Sequence, residues 1–114
     1  MSLLREMILR VIRMNEVETR IGDSHSGAYV KVADGLLPKP VRIGARSVGI
    51  PEHELQAVIA ARIAGKSDEE IRALVAALMA SREELFARIL EPLGEQKLGH
   101  FNFTDEGAND GKQP

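Results

Sequence analysis

The sequence predicts a mainly α-helical fold with one small β-hairpin. Two short helical segments flank a tight turn near Gly22, alternating apolar and basic residues follow Pro38-Lys39-Pro40, and three amphipathic segments follow Pro51. A helix, a tight turn and a second helix at this spacing are typical of a helix-turn-helix. We therefore expect a helix-turn-helix, then a hairpin, then additional C-terminal helices.

Length and composition exclude several classes of protein. A chain of 114 residues is about one domain, and its 44% apolar and 28% charged residues argue against bulk disorder. The absence of cysteine excludes disulfide scaffolds, zinc–cysteine sites and thiol catalysis. No apolar run approaches the ~18 residues of a membrane span, and the N-terminus has no signal-peptide pattern. We expect a soluble cytoplasmic protein without membrane contact.

The net charge of −2 averages two unlike parts of the chain. Residues 1–66 hold ten Lys or Arg and seven Asp or Glu, a net charge of +3, whereas residues 67–114 hold five and ten, a net charge of −5. The densest basic stretch runs from Pro38 to Ile50 and contains no acidic residue. A nucleic-acid surface is therefore to be sought in the front part of the chain.

The first elements follow from apolar spacing and capping patterns. Apolar residues over 3–12 have helical spacing, which predicts a helix or a helix that ends in a short extended entry at 10–13. Asn15 and Glu18 form a capping-box pattern, which predicts a helix over 16–21 that ends at Gly22. A second helix is predicted from His25 to Ala33, after a turn or N-cap at residues 23–24.

The hairpin is predicted from alternation on both sides of a Gly44-Ala45 turn. Its strands are expected at 41–43 and 46–50. Because an isolated hairpin is marginal in water, it must pack against the helices. The residues expected to make that contact are Val41, Ile43, Val48 and Ile50.

The remaining helices are predicted from apolar periodicity. Pro51 suits the first turn of a helix over 52–64, whose expected apolar face is Leu55, Val58, Ile59 and Ile63. Ser67 and Ser81 each begin a Ser-x-x-Glu capping box, so residues 67–91 form either two helices or one long helix with a break near Ser81. Pro92 ends this region, and the polar, Gly-rich residues 94–114 are expected to be a disordered tail.

A long stretch of the sequence resembles the AlpA family. The resemblance covers residues 10–66 and rests on Arg13-Met-Asn-Glu-Val-Glu, on Gly22, Ser24 and Tyr29, and above all on Gly35-Leu-Leu-Pro-Lys-Pro-Val-Arg-Ile-Gly-Ala-Arg-Ser-Val-Gly-Ile-Pro-Glu-His-Glu-Leu. AlpA proteins are small DNA-binding proteins of phages and mobile elements with a MerR-like winged helix-turn-helix. Some regulate transcription and others are excisionases, also called recombination directionality factors.

The domain organisation combines the resemblance, which covers residues 10–66, with the apolar and polar patterns of the residues outside it. Residues 1–9 would be an N-terminal helical extension, 10–66 the winged helix-turn-helix, 67–93 a helical extension and 94–114 the tail. The apolar faces of the helical extension, or the N-terminal face of Leu3 and Met7, would mediate oligomerisation or simply complete the core of the monomer.

The departures from the family pattern fall mainly in the second helix, the one expected to enter the DNA groove. Related proteins often carry a basic residue in place of His25, a β-branched hydroxyl residue in place of Gly27 and a basic residue in place of Val30. Asp23 replaces an apolar turn residue, and Ile50 replaces a Trp. The first three changes remove charge and helix propensity from this helix, whereas the hairpin is intact.

The candidate DNA-binding residues lie on the second helix and on the hairpin. A helix fits the major groove, where side chains near its N-terminus reach base edges, and a basic hairpin contacts phosphates. Structural roles remain open for each group: Ser24 as a helix cap, Ser26 as a solvated residue, Tyr29 as a half-buried residue, and the hairpin cations as a solvated strand edge. The predicted contacts are Ser24, His25, Ser26, Tyr29, Lys31, Lys39, Arg42, Arg46 and Ser47.

The patterns typical of enzymes are incomplete. Gly22 to Gly27 has the glycine spacing of a phosphate-binding loop, but Ala28 stands where lysine is required. Adjacent Asp23-Ser24-His25 does not build a catalytic triad, and the three histidines lack ligand spacing. We expect no catalytic residue, no metal and no cofactor.

Two hypotheses follow. In the first, the chain is a sequence-specific binder of double-stranded DNA that acts as a transcriptional regulator or an excisionase, with an integrase as a candidate partner. A surface of some four to six basic groups implies modest affinity, so a homo-oligomer or cooperative assembly on DNA is expected. In the second, the chain is a protein-interaction adaptor on a winged-helix scaffold that has lost DNA binding.

Overall fold

The structure is a computed structural model that describes residues 9–91. In chain order the elements are β1 (Val11–Arg13), α1 (Met14–Ile21), α2 (His25–Ala33), β2 (Val41–Arg42), β3 (Val48–Pro51), α3 (Glu52–Ile63), α4 (Asp68–Ala80) and α5 (Arg82–Leu90). The described residues fall into two compact units, divided after Arg82. Except for Leu9, the predicted N-terminal extension lies outside the described residues, and so does the predicted tail. The predicted domain boundary after residue 66 stays a prediction.

A small antiparallel sheet with strand order β1-β3-β2 holds the hairpin against the helices. The predicted hairpin is confirmed, with Val41 opposite Gly49 and Arg42 opposite Val48. The extended entry at 10–13, one of two alternatives, is confirmed as β1. It pairs with the other edge of β3 and places Ile12 opposite Ile50, where both side chains are buried.

The sheet requires a glycine at its centre. A Cβ on Gly49 would lie 2.4 Å from the backbone oxygen of Ile12 and 2.9 Å from its carbonyl carbon. Because a backbone atom cannot rotate away as a side chain can, only glycine permits this approach of β1 to β3.

Helix α1 begins earlier than predicted. It starts at Met14, directly after β1, and its N-cap Arg13 makes no side-chain cap hydrogen bond. The predicted capping box at Asn15 is therefore wrong. Burial of Met14 and Val17 fixes the start, because both side chains belong to the core. The predicted end at Gly22 is confirmed: its φ of 70° is accessible to glycine at little cost.

The core joins the sheet to α1, α2, α3 and α4. Its buried residues are Ile12, Met14, Val17, Ala28, Leu36, Leu37, Ile50, Leu55, Val58, Ile71 and Val75. Two residues expected to pack are exposed, namely Ile63 at 81% and Ile43 at 44%. Ile63 is the last residue of α3, beyond the turns that face the core. Ile43 lies in the hairpin turn, past the last paired residues of β2 and β3.

The helices after the hairpin mostly match expectation. The predicted helix over 52–64 is confirmed as α3, with Pro51 as its N-cap rather than in its first turn. The box at Ser67 is confirmed by a bond from the Glu70 N–H to Ser67 Oγ and one from the Ser67 N–H to Glu70 Oε1. The alternative of two helices is confirmed, since α4 ends at Ala80, with Ser81 as its C-cap, and α5 begins at Arg82. The Ser81 hydroxyl donates instead to Ala77 O, at the end of α4.

One ion pair of the first unit has a buried carboxylate and a half-buried arginine. Glu54, on α3, has a side chain with 0% exposure and accepts hydrogen bonds from Arg82 Nη2 (2.6 Å) and Nε (2.9 Å). Arg82 Nη2 also donates to Lys39 O at 2.9 Å, in the segment that enters the hairpin. Hydrogen bonding to Glu54 raises the pKa of Arg82. Through Arg82, the first residue of α5, this pair therefore links α3 to the approach to the hairpin.

The predicted fold class is confirmed: the described residues are mainly helical with a small antiparallel sheet, in a winged helix-turn-helix arrangement.

Candidate nucleic-acid interface

The N-terminus of α2 is organised by Ser24. This residue is the N-cap, and its Oγ accepts a hydrogen bond from the Gly27 N–H at 3.0 Å. The role of Ser24 as a helix cap, which the sequence left open, is therefore confirmed. A capping hydroxyl still has a proton to donate and a second lone pair, so the cap does not prevent a contact with DNA.

His25 and Tyr29 lie together on one flank of α2. His25 Nδ1 is 2.6 Å from Glu18 Oε2 on α1, and the His25 and Tyr29 rings are 5.0 Å apart at 57°. Both residues are exposed. The contact with Glu18 ties α1 to α2 and places a carboxylate beside the histidine.

Lys31 is paired with Asp23 on the opposite flank. The Asp23 carboxylate also accepts the Ser24 N–H at 2.8 Å. The hydrogen bond from Lys31, followed by that from Ser24, holds the pKa of Asp23 below its usual value. The charge of Lys31, a predicted DNA contact, is thus balanced within the protein.

Gly27 makes room for this carboxylate. A Cβ at position 27 would lie 2.1 Å from Asp23 Oδ1, so any larger residue would have to displace the Asp23 side chain. Asp23 and Gly27, two departures from the family pattern, are therefore sterically coupled.

The outward face of α2 has an apolar centre. Ser26, Val30 and Ala33 are exposed and lie three or four residues apart, which places them on one face of the helix. Val30 has 59% of its surface exposed, although it is a large apolar residue. The sequence noted Val30 only as a lost basic residue, and its position at the centre of this face required the structure.

The hairpin, which we call the wing (residues 41–51), carries charge without neutralisation. Arg42, on β2, and Arg46, in the turn, are exposed, and neither forms an ion pair with any residue between 9 and 91. The segment before the wing is anchored through its backbone. The Lys39 N–H donates to Met79 Sδ at 3.3 Å and its carbonyl accepts from Arg82, while its side chain is exposed.

Arg13 extends the wing and was missed by the sequence analysis. It lies on β1, opposite Gly49, and its Nη1 donates to Ser47 Oγ at 3.5 Å. Ser47 in turn closes the hairpin, because its carbonyl accepts the N–H groups of Ile43 and Gly44. The alternation of Val11-Ile12-Arg13 is the signal that could have placed Arg13 on a strand beside the wing.

Three cations outside the wing lie together and are paired with carboxylates. Arg20, Lys31 and Arg62 line an open groove of about 320 Å³ together with apolar residues of α1, of the segment after α2 and of α3. Arg20 contacts Glu16 and Glu52, and Arg62 contacts Asp68. The groove therefore presents little uncompensated positive charge.

The described residues contain neither a metal-binding cluster nor a membrane-spanning helix. Among residues 9–91, no group of three His, Asp or Glu is placed to hold a metal ion. No helix in that same range is both long and apolar enough to cross a bilayer.

Comparison with known families supports the resemblance noted in the sequence. The family model described as prophage CP4-57 regulatory protein (AlpA) matches residues 10–63. This segment begins just before β1 and ends with α3, so it contains the helix-turn-helix and the wing. Comparisons with curated proteins and with solved structures gave no match.

Proposed function

Because residues 10–63 belong to the AlpA family of prophage regulatory proteins, we propose that this protein binds double-stranded DNA and has no catalytic activity. The proposal rests on where the Lys and Arg side chains without a carboxylate partner lie. Between residues 9 and 82, five of the eleven Lys and Arg face a carboxylate, in the pairs Arg10–Glu52, Arg20–Glu16, Lys31–Asp23, Arg62–Asp68 and Arg82–Glu54. Four of the other six, Arg13, Lys39, Arg42 and Arg46, lie on or beside the wing, whereas Lys66 and Arg72 lie elsewhere. By contrast, Arg42 and Arg46 project from the wing without a carboxylate, close in sequence to Lys39.

Helix α2 and the wing contact different parts of the DNA. Helix α2 enters the major groove, where Ser26 and Tyr29 offer hydroxyl groups to base edges. The wing contacts phosphate oxygens through Arg42 and Arg46, which position the protein without reading sequence. Lys39 and Ser47 flank these contacts.

The number of available cations sets the salt dependence. If Arg13, Lys39, Arg42 and Arg46 each neutralise one phosphate, the slope of log K against log salt is about −3.6. Such a surface gives modest affinity for one protomer. We therefore include a homo-oligomer or a cooperative assembly on neighbouring sites in the proposal.

Transcriptional regulation and excision use the same surface. In either role the protein would bind repeated sites, near a promoter or near an attachment region where an integrase acts. An integrase gene adjacent to the gene for this chain would favour the excisionase role.

One observation favours a second candidate function, a protein-interaction adaptor that has lost DNA binding. Helix α2 has Lys31 as its one Lys or Arg, and Asp23 neutralises it. An adaptor needs no charge on this helix, whereas a DNA reader more often carries some.

A salt titration of duplex binding separates the two functions. Fluorescence anisotropy with a labelled duplex of random sequence should show binding at low salt and the slope given above. Arg46→Ala should weaken binding to all duplexes alike and lower the slope by about 1. Arg62→Ala, which removes an exposed but paired cation, is the matched control and should leave the slope nearly unchanged. Absence of binding at low salt would contradict the proposed function and favour the adaptor.

A further inference from the structure

The exposed centre of α2 has no structural explanation within the described residues. Val30 has a side chain that is 59% exposed, on the face that also carries Ser26 and Ala33. The buried side of the helix is occupied by Ala28, with Val32 partly buried beside it. Val30 thus contributes little to the core, and an apolar group in this position is available for contact with another molecule.

The flanks of α2 offer no free cation for reading guanine. The commonest specific contact to guanine is a bidentate hydrogen bond from Arg or Lys to O6 and N7. Lys31 is held by Asp23, and His25 is held 2.6 Å from the Glu18 carboxylate. The glycine at position 27 preserves the first of these pairs, because it leaves space for the Asp23 carboxylate. This helix is therefore poorly equipped to select G·C pairs.

In unmodified DNA, one group on the base edges of the major groove is apolar. This group is the 5-methyl of thymine, which apolar side chains contact. We propose that Val30 contacts a thymine 5-methyl group, so that the base pairs facing the centre of α2 are A·T pairs. The inference rests on the proposed function. We assign DNA as the partner of this face because α2 belongs to the helix-turn-helix. The wing beside that motif carries Arg42 and Arg46, which have no carboxylate partner.

With this assignment, the wing and α2 have different roles in DNA binding. The wing supplies sequence-independent attraction to phosphates, while α2 supplies discrimination without adding charge. Neutralisation of Lys31 by Asp23 would then serve specificity, since an additional free cation strengthens binding to every duplex equally.

Replacement of thymine by deoxyuridine tests the proposal, because it deletes only the 5-methyl group. The probe is a duplex selected from a randomised library by the wild-type protein, resynthesised with uracil at single thymine positions. At the position that faces Val30, the dissociation constant of the wild type should rise about fourfold, the factor expected for burial of one methyl group. In the Val30→Ala variant the thymine and uracil duplexes should bind within a factor of about two of each other.

A gain of affinity on restoring the methyl group completes the test. In the selected duplex, the base facing Val30 is changed to cytosine or to 5-methylcytosine, which restores the methyl group in the major groove. The wild type should bind the methylated duplex about fourfold more tightly than the unmethylated one, and Val30→Ala should not. Ile89→Ala, which truncates an exposed β-branched side chain outside residues 10–63, is the matched control and should retain the wild-type ratios.

The outcomes distinguish failure of the Val30 contact from failure of the proposed function. A wild type that selects and binds duplexes but shows equal affinity for thymine and uracil at every position would overturn the role of Val30 and leave the proposed function standing. Equal methyl sensitivity in the wild type and in Val30→Ala would overturn it as well. Failure of the wild type to bind any duplex at low salt would contradict the proposed function itself.

Discussion

Removal of the Arg82 side chain should destabilise the winged core more than any surface charge variant. Glu54 has 0% exposure, and Arg82 supplies both hydrogen bonds recorded to its carboxylate, at 2.6 and 2.9 Å. Arg82→Ala leaves the carboxylate buried without its partner and also frees the Lys39 carbonyl. Breaking one side of a buried ion pair typically costs about 3–5 kcal/mol.

Two further variants isolate the cause of this loss. Arg88→Ala removes a cation from an exposed pair with Glu84, and it should cost less than about 1 kcal/mol. Glu54→Leu combined with Arg82→Met removes both charges together. Because no buried charge remains unpaired, this double variant should recover most of the stability lost in Arg82→Ala.

Urea unfolding followed by far-ultraviolet circular dichroism measures these differences, through the midpoint and the slope of the transition. Arg82→Ala should have a lower midpoint with an unchanged slope. If Arg82→Ala is so unstable that it has no folded baseline, the double variant still tests the reasoning. A loss in Arg82→Ala no larger than that in Arg88→Ala would refute it, and so would a double variant less stable than Arg82→Ala.

Three other changes test local features of the fold. Ser67→Ala should lower the unfolding free energy by about 1 kcal/mol through loss of the capping box, measured by urea unfolding. Gly49→Ala should cost about 1–3 kcal/mol because its Cβ would meet a backbone oxygen of β1, whereas Gly44→Ala, with no atom within 4 Å, should stay within about 0.5 kcal/mol in the same assay. Lys31 lowers the pKa of Asp23 in the folded state, so this contribution to stability is complete above about pH 4 and is lost as the pH falls further. Urea midpoints at pH 6 and pH 3 should therefore differ less in Asp23→Asn than in the wild type, and an equal difference would contradict this.

Local patterns predicted helices better than they predicted caps. The Ser-x-x-Glu signature occurs at Ser67 and at Ser81, yet only the first forms a capping box. Ser67 lies two residues after the left-handed Gly65 and has an extended backbone, so α4 begins afresh there and its first N–H groups need side-chain acceptors. Ser81 directly continues α4, and its hydroxyl bonds back to Ala77. A cap thus depends on what precedes it as well as on its own residues.

Long-range pairing lay beyond the reach of sequence patterns. Glu54 and Arg82 are separated by 28 positions, and nothing in the periodicity of α3 distinguishes Glu54 from a solvated residue. Its burial depends on how Arg82 meets both α3 and the segment before the wing. The strand β1 was foreseen only as one alternative, because three residues are too few to define a period until β3 supplies the partner.

The site was foreseen in outline, and its electrostatics were not. The wing residues Arg42 and Arg46 could be proposed from a basic stretch without acids. The neutralisation of Lys31 could not, because it depends on the space that Gly27 leaves for Asp23. The exposed apolar centre at Val30 likewise emerged only when the helix was placed against the core.

Mapping of a bound duplex onto the protein by NMR tests the central claim most directly. Addition of a duplex at low salt to the ¹⁵N-labelled full chain should shift the amide signals of α2 from Ser24 to Val30 and those of the wing from Arg42 to Ser47. Signals of α4, which lies outside the proposed surface, should move little. Shifts confined to α4 or α5, or no shifts at all, would contradict the account.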